Sequence, residues 1–241
     1  YYIITPFYNA KDYLPRCVAS IKRQRGCDFH CIMIDDISTD DSYSVAEKAI
    51  DNDPRFTLIK NTKKGYALSN IAKAIEDSNA SKDDVIILLD GDDWFSSGLS
   101  LAHLNSHYCS ADCWLTYGSY VMHPYGIFGP EPSKYPEEII ENNLYRQDQW
   151  RASHLRTFRK HLWDKIDHKD LQDSNGEYYK MAYDQAIMLP LLEMSGPRSE
   201  YIPEVLHVYN KENPLNVDKV KTQEQVRTAQ EIRSKKSYER L

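Results

Sequence analysis

Val85-Ile86-Ile87-Leu88-Leu89-Asp90-Gly91-Asp92-Asp93 sets five uninterrupted apolar residues directly against three carboxylates. A run this short, with no polar alternation, is what a strand covered on both faces of a sheet shows. Upstream, Tyr1–Thr5, Cys31–Ile34 and Phe56–Ile59 read as further strands, the first ended by Pro6. Between them lie helical patterns. Lys11–Arg25 carries Leu14, Val18 and Ile21, Ser42–Ile50 carries Val45, Ala46 and Ala49, and Tyr66–Glu76 carries Leu68, Ile71, Ala72 and Ile75. This βαβαβαβ order predicts an α/β fold, a mostly parallel central sheet with helices on both faces.

Ligands of such sheets bind beyond the carboxyl ends of the strands. The loops to watch therefore follow Ile4, Ile34, Ile59 and Leu89. Further along, six Pro and Gly residues between Pro124 and Pro136 predict a long loop or lid over residues 120–150. Residues 151–195 read as helical with a break near Gly176. Asp218 to Leu241 reads as a charged helix able to dock through Val220, Val226, Ala229 and Ile232.

The 241 residues carry 36 Asp and Glu against 30 Lys and Arg, a net charge of −6. That balance excludes a nucleic-acid binder, whose footprint is basic. The acidity is local: four Asp fall in residues 35–41 and five in 83–93, and neither window holds a Lys or Arg. No apolar run approaches a bilayer span, and no basic-then-apolar leader is visible. A cytoplasmic protein is therefore expected. The opening on a strand-like run leaves room for a piece of a longer polypeptide, or for a homo-oligomer. Five Cys are too few for a disulfide scaffold, so free thiols are expected. His103, His107, Cys109 and Cys113 are all able to ligate zinc, but the run is too compact for two ligand pairs and reads as a surface helix.

Three polar clusters end successive strands: Thr5-Pro6-Phe7-Tyr8-Asn9, Asp35-Asp36-Ile37-Ser38-Thr39-Asp40-Asp41-Ser42, and Asp90-Gly91-Asp92-Asp93-Trp94. The second also fits an ordinary helix N-cap. In the third, three carboxylates repel one another with no cation close in sequence, which a hard divalent ion relieves; a solvated turn is the alternative. Such an ion would also draw a diphosphate into an acidic crevice.

In this order and spacing the clusters resemble family 2 glycosyltransferases of GT-A fold, a Rossmann-like fold for nucleotide-diphospho-sugar transfer. Gly65-Tyr66-Ala67-Leu68-Ser69-Asn70, Tyr117-Gly118-Ser119 and Tyr183-Asp184-Gln185 continue the resemblance through about residue 210. It implies a single domain over 1–241, with a nucleotide-sugar-binding half (1–118), an acceptor-binding and catalytic half (119–210) and a helical tail (211–241). It implies that Thr5, Pro6, Tyr8, Asp36, Asn70, Asp90 and Gly91 hold the donor nucleotide. Asp92 and Asp90 would hold Mn²⁺ or Mg²⁺, with His207 as a third ligand, and Asp184 would be the general base. Trp94, His154 and Arg156 would face the acceptor. The implied activity is inverting transfer from a nucleotide-sugar donor, a UDP-sugar, to a hydroxyl of a glycan or protein.

The chain also departs from the pattern. Ser69 stands where many members have Arg, so Lys63 or Lys64 is the replacement phosphate cation. The Gln-x-x-Arg-Trp signature of processive synthases is absent. Ser153-His154-Leu155-Arg156-Thr157-Phe158-Arg159 resembles a subgroup found in bacteria and large viruses, which adds host cytoplasm or virion to the expected locations. Two other readings stay open: a catalytically inactive nucleotide- or carbohydrate-binding module, and a nucleotidyltransferase. The latter wants a Gly-rich basic loop after the first strand, which Thr5–Asn9 does not supply.

Overall fold

A computed structural model describes residues 1–110, 112–216 and 222–241. The amino-terminal half is built on four parallel strands: β1 (Tyr2–Phe7), β2 (His30–Asp35), β3 (Phe56–Lys60) and β4 (Val85–Leu88). Three helices connect them, α1 (Leu14–Lys22), α2 (Ser42–Ile50) and α3 (Tyr66–Glu76). Neighbouring residues of β4 point to opposite faces and both sides are buried. Ile86 and Leu88 join a core with Leu68 and Ile71 of α3, while Val85 and Ile87 join one with Leu14 and Val18 of α1. Covering both faces in this way is why the strand is apolar throughout.

β1 runs on through Pro6 instead of stopping at Thr5. Pro6 pairs with Ile34, and its carbonyl accepts the Gly91 N–H at 3.1 Å. A proline lacks a donor, but here the neighbour uses its acceptor.

The second half is mixed. It holds β5 (Trp94–Phe95), α4 (Ser100–Ser110), β6 (Leu115–His123), β7 (Ile127–Phe128), α5 (Glu137–Glu141), β8 (Arg156–Arg159), α6 (Lys160–Trp163), α7 (Tyr183–Ser195), β9 (Ser199–Asn210) and α8 (Thr222–Ser234). The sheet order is β3-β2-β1-β4-β8-β6-β9-β5, with β7 paired to β6. β8 is antiparallel to β4 and β6, whereas β9 is parallel to β6. Residues 151–195 are thus not one helical region: a central strand, β8, opens them. The expected loop of 120–150 is partly ordered into a β6–β7 hairpin and α5.

In the tail, Ile232 is buried, Ala229 packs on the core and Val226 is exposed. Asp218 and Val220 lie outside the described residues. All five cysteines are free. His103 and His107 pair with Glu204 and Glu200. No helix among the described residues is long and apolar enough to cross a membrane.

Candidate active site

The ends of β1, β2 and β4 open into a cleft of about 560 Å³, closed on its far side by the start of α7 and the segment after β9. Pro6, Tyr8, Asp36, Asn70, Asp90 and Asp92 line it from the parallel half. His154, Arg156 and Asp184 line it from the mixed half.

Gly91 permits the close approach of β1. A Cβ there would lie 2.5 Å from Phe7 Cβ, so a side chain is excluded. Thr5 is fully buried within β1, its hydroxyl 3.8 Å from Cys31 Sγ, and does not line the cleft.

Asp36 is engaged by the protein itself. Its carboxylate accepts the Gly65 N–H (2.7 Å), the Tyr66 N–H (2.9 Å) and the Asn61 amide (3.0 Å). Burial alone would raise its pKa, but these donors outweigh that and hold it below the usual carboxylate range. It therefore tethers the start of α3. Lys64 lies 3.4 Å from the Asp36 carboxylate and 2.9 Å from the centroid of the Tyr8 ring. Lys64 and Lys180 bring positive charge to the cleft wall, whereas Lys63 does not line it.

The acidic motif divides its labour. Asp90 accepts the Tyr183 hydroxyl on both oxygens at 2.9 Å, tying β4 to α7. Asp92 faces the cleft and accepts a hydrogen bond from Asn213 Nδ2 at 2.7 Å. Burial, and then the neighbouring Asp93 and Asp90, push its pKa up to about 8. Asp93 turns inward, bonded to His207 Nε2 (2.9 Å) and the Asn210 N–H (2.8 Å). His207 stacks on His154 with 4.4 Å between centroids, and burial, then Arg156, lower its pKa to about 3.

The metal set expected from sequence was Asp90, Asp92 and His207. The structure gathers His207 with Asp93 and His154 instead, their ligand atoms all within 4.8 Å of one another. The chemistry of Asp90 and Asp92 suits a hard divalent cation: the charge of Asp90 disfavours that of Asp92, and ionised Asp92 has no salt-bridge partner among the described residues.

Arg156 of β8 pairs with Leu88 of β4, which brings its buried guanidinium beside the motif. Burial opposes its charge, but Asp184, Tyr183 and Asp90 more than restore it. Its Nη2 lies 2.9 Å and 3.1 Å from the two ring nitrogens of His154. Asp184 sits in the first turn of α7, at the mouth of the cleft. That carboxylate makes no hydrogen bond among the described residues.

Trp94 stands apart. It is buried against Arg16, whose guanidinium carbon is 3.7 Å from the ring centroid, and lines a different cavity. Sequence reasoning missed Tyr183 and Asn213. Tyr183 precedes Asp184 and was legible as a neighbour only. Asn213 follows a strand with no distinguishing pattern.

Comparison with known proteins accounts for this arrangement. The Glycosyl transferase family 2 model matches residues 2–167, and the chain belongs to that family. Its fold is GT-A, so the chain is a glycosyltransferase-family domain. It is 46% identical over 48 residues to the teichoic acid poly(glycerol phosphate) polymerase of Staphylococcus epidermidis, a match covering 20% of this chain and 7% of that protein. Crystal structures of S. aureus TarS superpose with a TM-score of 0.68 at 16% identity, over 95% of this chain and 38% of that one. TarS 1-349 in complex with UDP-GlcNAc gives 0.65 at 15%, over 87% and 58%. A mannosyltransferase from Pyrobaculum calidifontis, in complex with GDP-Man and Mn²⁺, gives 0.59 at 16%, over 89% and 57%. The chain spans only a small part of the curated relatives it matches, 7% of that polymerase.

Proposed function

We propose that this chain transfers a sugar from a nucleoside-diphosphate donor, a UDP-sugar, to a hydroxyl of a glycan or protein, with inversion. The observation that carries this reading is one cleft holding Asp184, a carboxylate with no hydrogen bond among the described residues, with the Asp90–Asp92 pair and with Arg156 beside both. Asp184 takes the proton of the acceptor hydroxyl as the new oxygen–carbon bond forms at the anomeric centre. The bond to the donor's phosphate oxygen breaks on the opposite face, and its electron pair leaves with the nucleoside diphosphate. Asp92 and Asp90 would hold Mn²⁺ or Mg²⁺, which when bound neutralises charge on the departing diphosphate. Tyr8 and Tyr66, 39% and 43% exposed at the cleft, frame the base, and Lys64 and Lys180 face the phosphates. The UDP-GlcNAc complex of TarS and the Mn²⁺ complex of the mannosyltransferase support the donor and metal classes.

The test is a panel of nucleotide sugars with Mn²⁺, scored by release of nucleoside diphosphate, together with UDP titration of the wild type and Asp92→Ala. One donor should be turned over, and Asp92→Ala should abolish the Mn²⁺-dependent part of UDP binding. UDP affinity in Mn²⁺ unchanged by Asp92→Ala would sink the metal assignment. Binding without any turnover would favour the inactive-module reading.

A further inference from the structure

The cavity beside Trp94 encloses about 310 Å³ and shares no lining residue with the cleft. Its charge is opposite. Arg16 and Arg23 line it with His123, in a protein whose net charge is −6. Neither arginine has a carboxylate partner among the described residues. Among the described residues Arg23 donates one side-chain hydrogen bond, to the Phe95 carbonyl at 3.2 Å, and Arg16 makes none. Trp94, itself 3% exposed, holds the Arg16 guanidinium 3.7 Å from its ring centroid, and His123 packs edge-on at 5.1 Å. His123 is itself engaged, 3.1 Å from the Glu212 carboxylate.

A guanidinium stacked on an indole has already given up much of its rotamer freedom, so less is lost when its N–H groups engage an anion. The Arg16 fork and that of Arg23 beside it match the paired oxygens of a phosphoryl group, and a cavity of this size admits one on a small polyol. We infer that this cavity binds a phosphate-bearing group, as a second ligand site distinct from the donor cleft. Two sources of that group fit. One is a soluble phosphomonoester. The other is a lipid headgroup, since the adjoining β6–β7 hairpin exposes Tyr125, Ile127 and Phe128 at 66%, 55% and 68%.

The experiment titrates metal-free protein with glycerol 3-phosphate by calorimetry. In a second arm the protein is co-sedimented with phosphatidylglycerol vesicles, with phosphatidylcholine vesicles as the neutral control. Arg16→Ala and Arg23→Ala are exposed positions that the fold should tolerate, checked by thermal unfolding. Each should weaken binding about tenfold, and the double variant should lose it. Lys64→Ala, which removes a cation from the donor cleft, should bind as the wild type does, which separates this site from that cleft whether or not the transferase reading holds. Binding in the vesicle arm alone, lost in the double variant, assigns the phosphate to a lipid. No binding of either probe at millimolar phosphate, binding that survives the double variant, or binding lost in Lys64→Ala would each overturn the inference.

Discussion

Two groups of charge lie deep in this molecule, and they are treated in opposite ways. Glu193 of α7 is fully buried and receives the Arg146 fork at 2.6 and 3.0 Å. The Tyr238 N–H bonds the same carboxylate at 3.0 Å, and Arg146 also donates to the Ile232 carbonyl at 2.7 Å. Every charge there is answered from within the chain. Asp90, Asp92 and Asp93 stand together with the buried Arg156 guanidinium among them, too little to offset burial and mutual repulsion at Asp92, which is driven toward its protonated form. Charge that the fold completes by itself serves the fold, whereas charge left to repel is held for something that arrives. Stability measurements can break or sharpen that contrast.

The largest effect is expected at the completed pair. Glu193→Gln leaves the Arg146 guanidinium buried without its counter-charge and loosens Tyr238, so it should cost about 3–5 kcal/mol. Urea unfolding monitored by circular dichroism reads this directly. A midpoint within error of the wild type would show that the pair does not anchor the carboxy-terminal segment.

The incomplete cluster should respond with the opposite sign. Asp92 has a folded pKa of about 8, above the carboxylate value near 4 of an unfolded chain. Between those values the folded state holds a proton that the unfolded state has released. Metal-free stability from this group is therefore greatest below about pH 4, falls as pH rises toward 8, and levels off beyond. Asp92→Asn removes that slope and should stabilise the metal-free protein above pH 8, on the order of 1–3 kcal/mol because Asp92 faces the open cleft. Mn²⁺ should stabilise the wild type but not the variant, since only ionised Asp92 binds it. Melting curves from pH 4 to 9 in chelator test this. The difference between the two proteins cancels shared titrations such as that of His207. Equal slopes in both would remove Asp92 as the stressed group.

The parallel half was largely legible because its rules are local. α2 and α3 begin and end where their apolar spacing says, and β4 is the apolar run itself. The mixed half obeys contacts that sequence distance hides. β8 is a short strand within a stretch that reads as helical, and the burial of its Arg156 makes sense only once Asp90 and Asp184 are beside it. The carboxylates of the cleft were readable as motifs. The partners that orient them, Tyr183 for Asp90 and Asn213 for Asp92, were not. Trp94 adjoins the acidic motif in sequence, yet the chain's turn into β5 gives it to the other cavity.

Asp184 should show the smallest change in stability and sharpens the contrast most. It shares α7 with Glu193, nine positions earlier, yet its carboxylate has no hydrogen-bond partner among the described residues and opens on the cleft. Asp184→Asn keeps the size of the side chain and removes only the charge and the basic oxygen. Its stability should fall by no more than about 1 kcal/mol, because Asp184 shares the support of the buried Arg156 charge with Asp90 and leaves no polar atom of its own without a hydrogen bond. Donor binding should also persist, because Asp92, Lys64 and the tyrosines at the base are untouched. Turnover should fall about 10²–10⁴-fold, the range a positioned general base contributes. One helix would then carry a carboxylate that matters for folding alone and another that matters for chemistry alone. Near-normal turnover in Asp184→Asn would remove it as the base, and a loss of stability matching that of Glu193→Gln would place both carboxylates on the structural side.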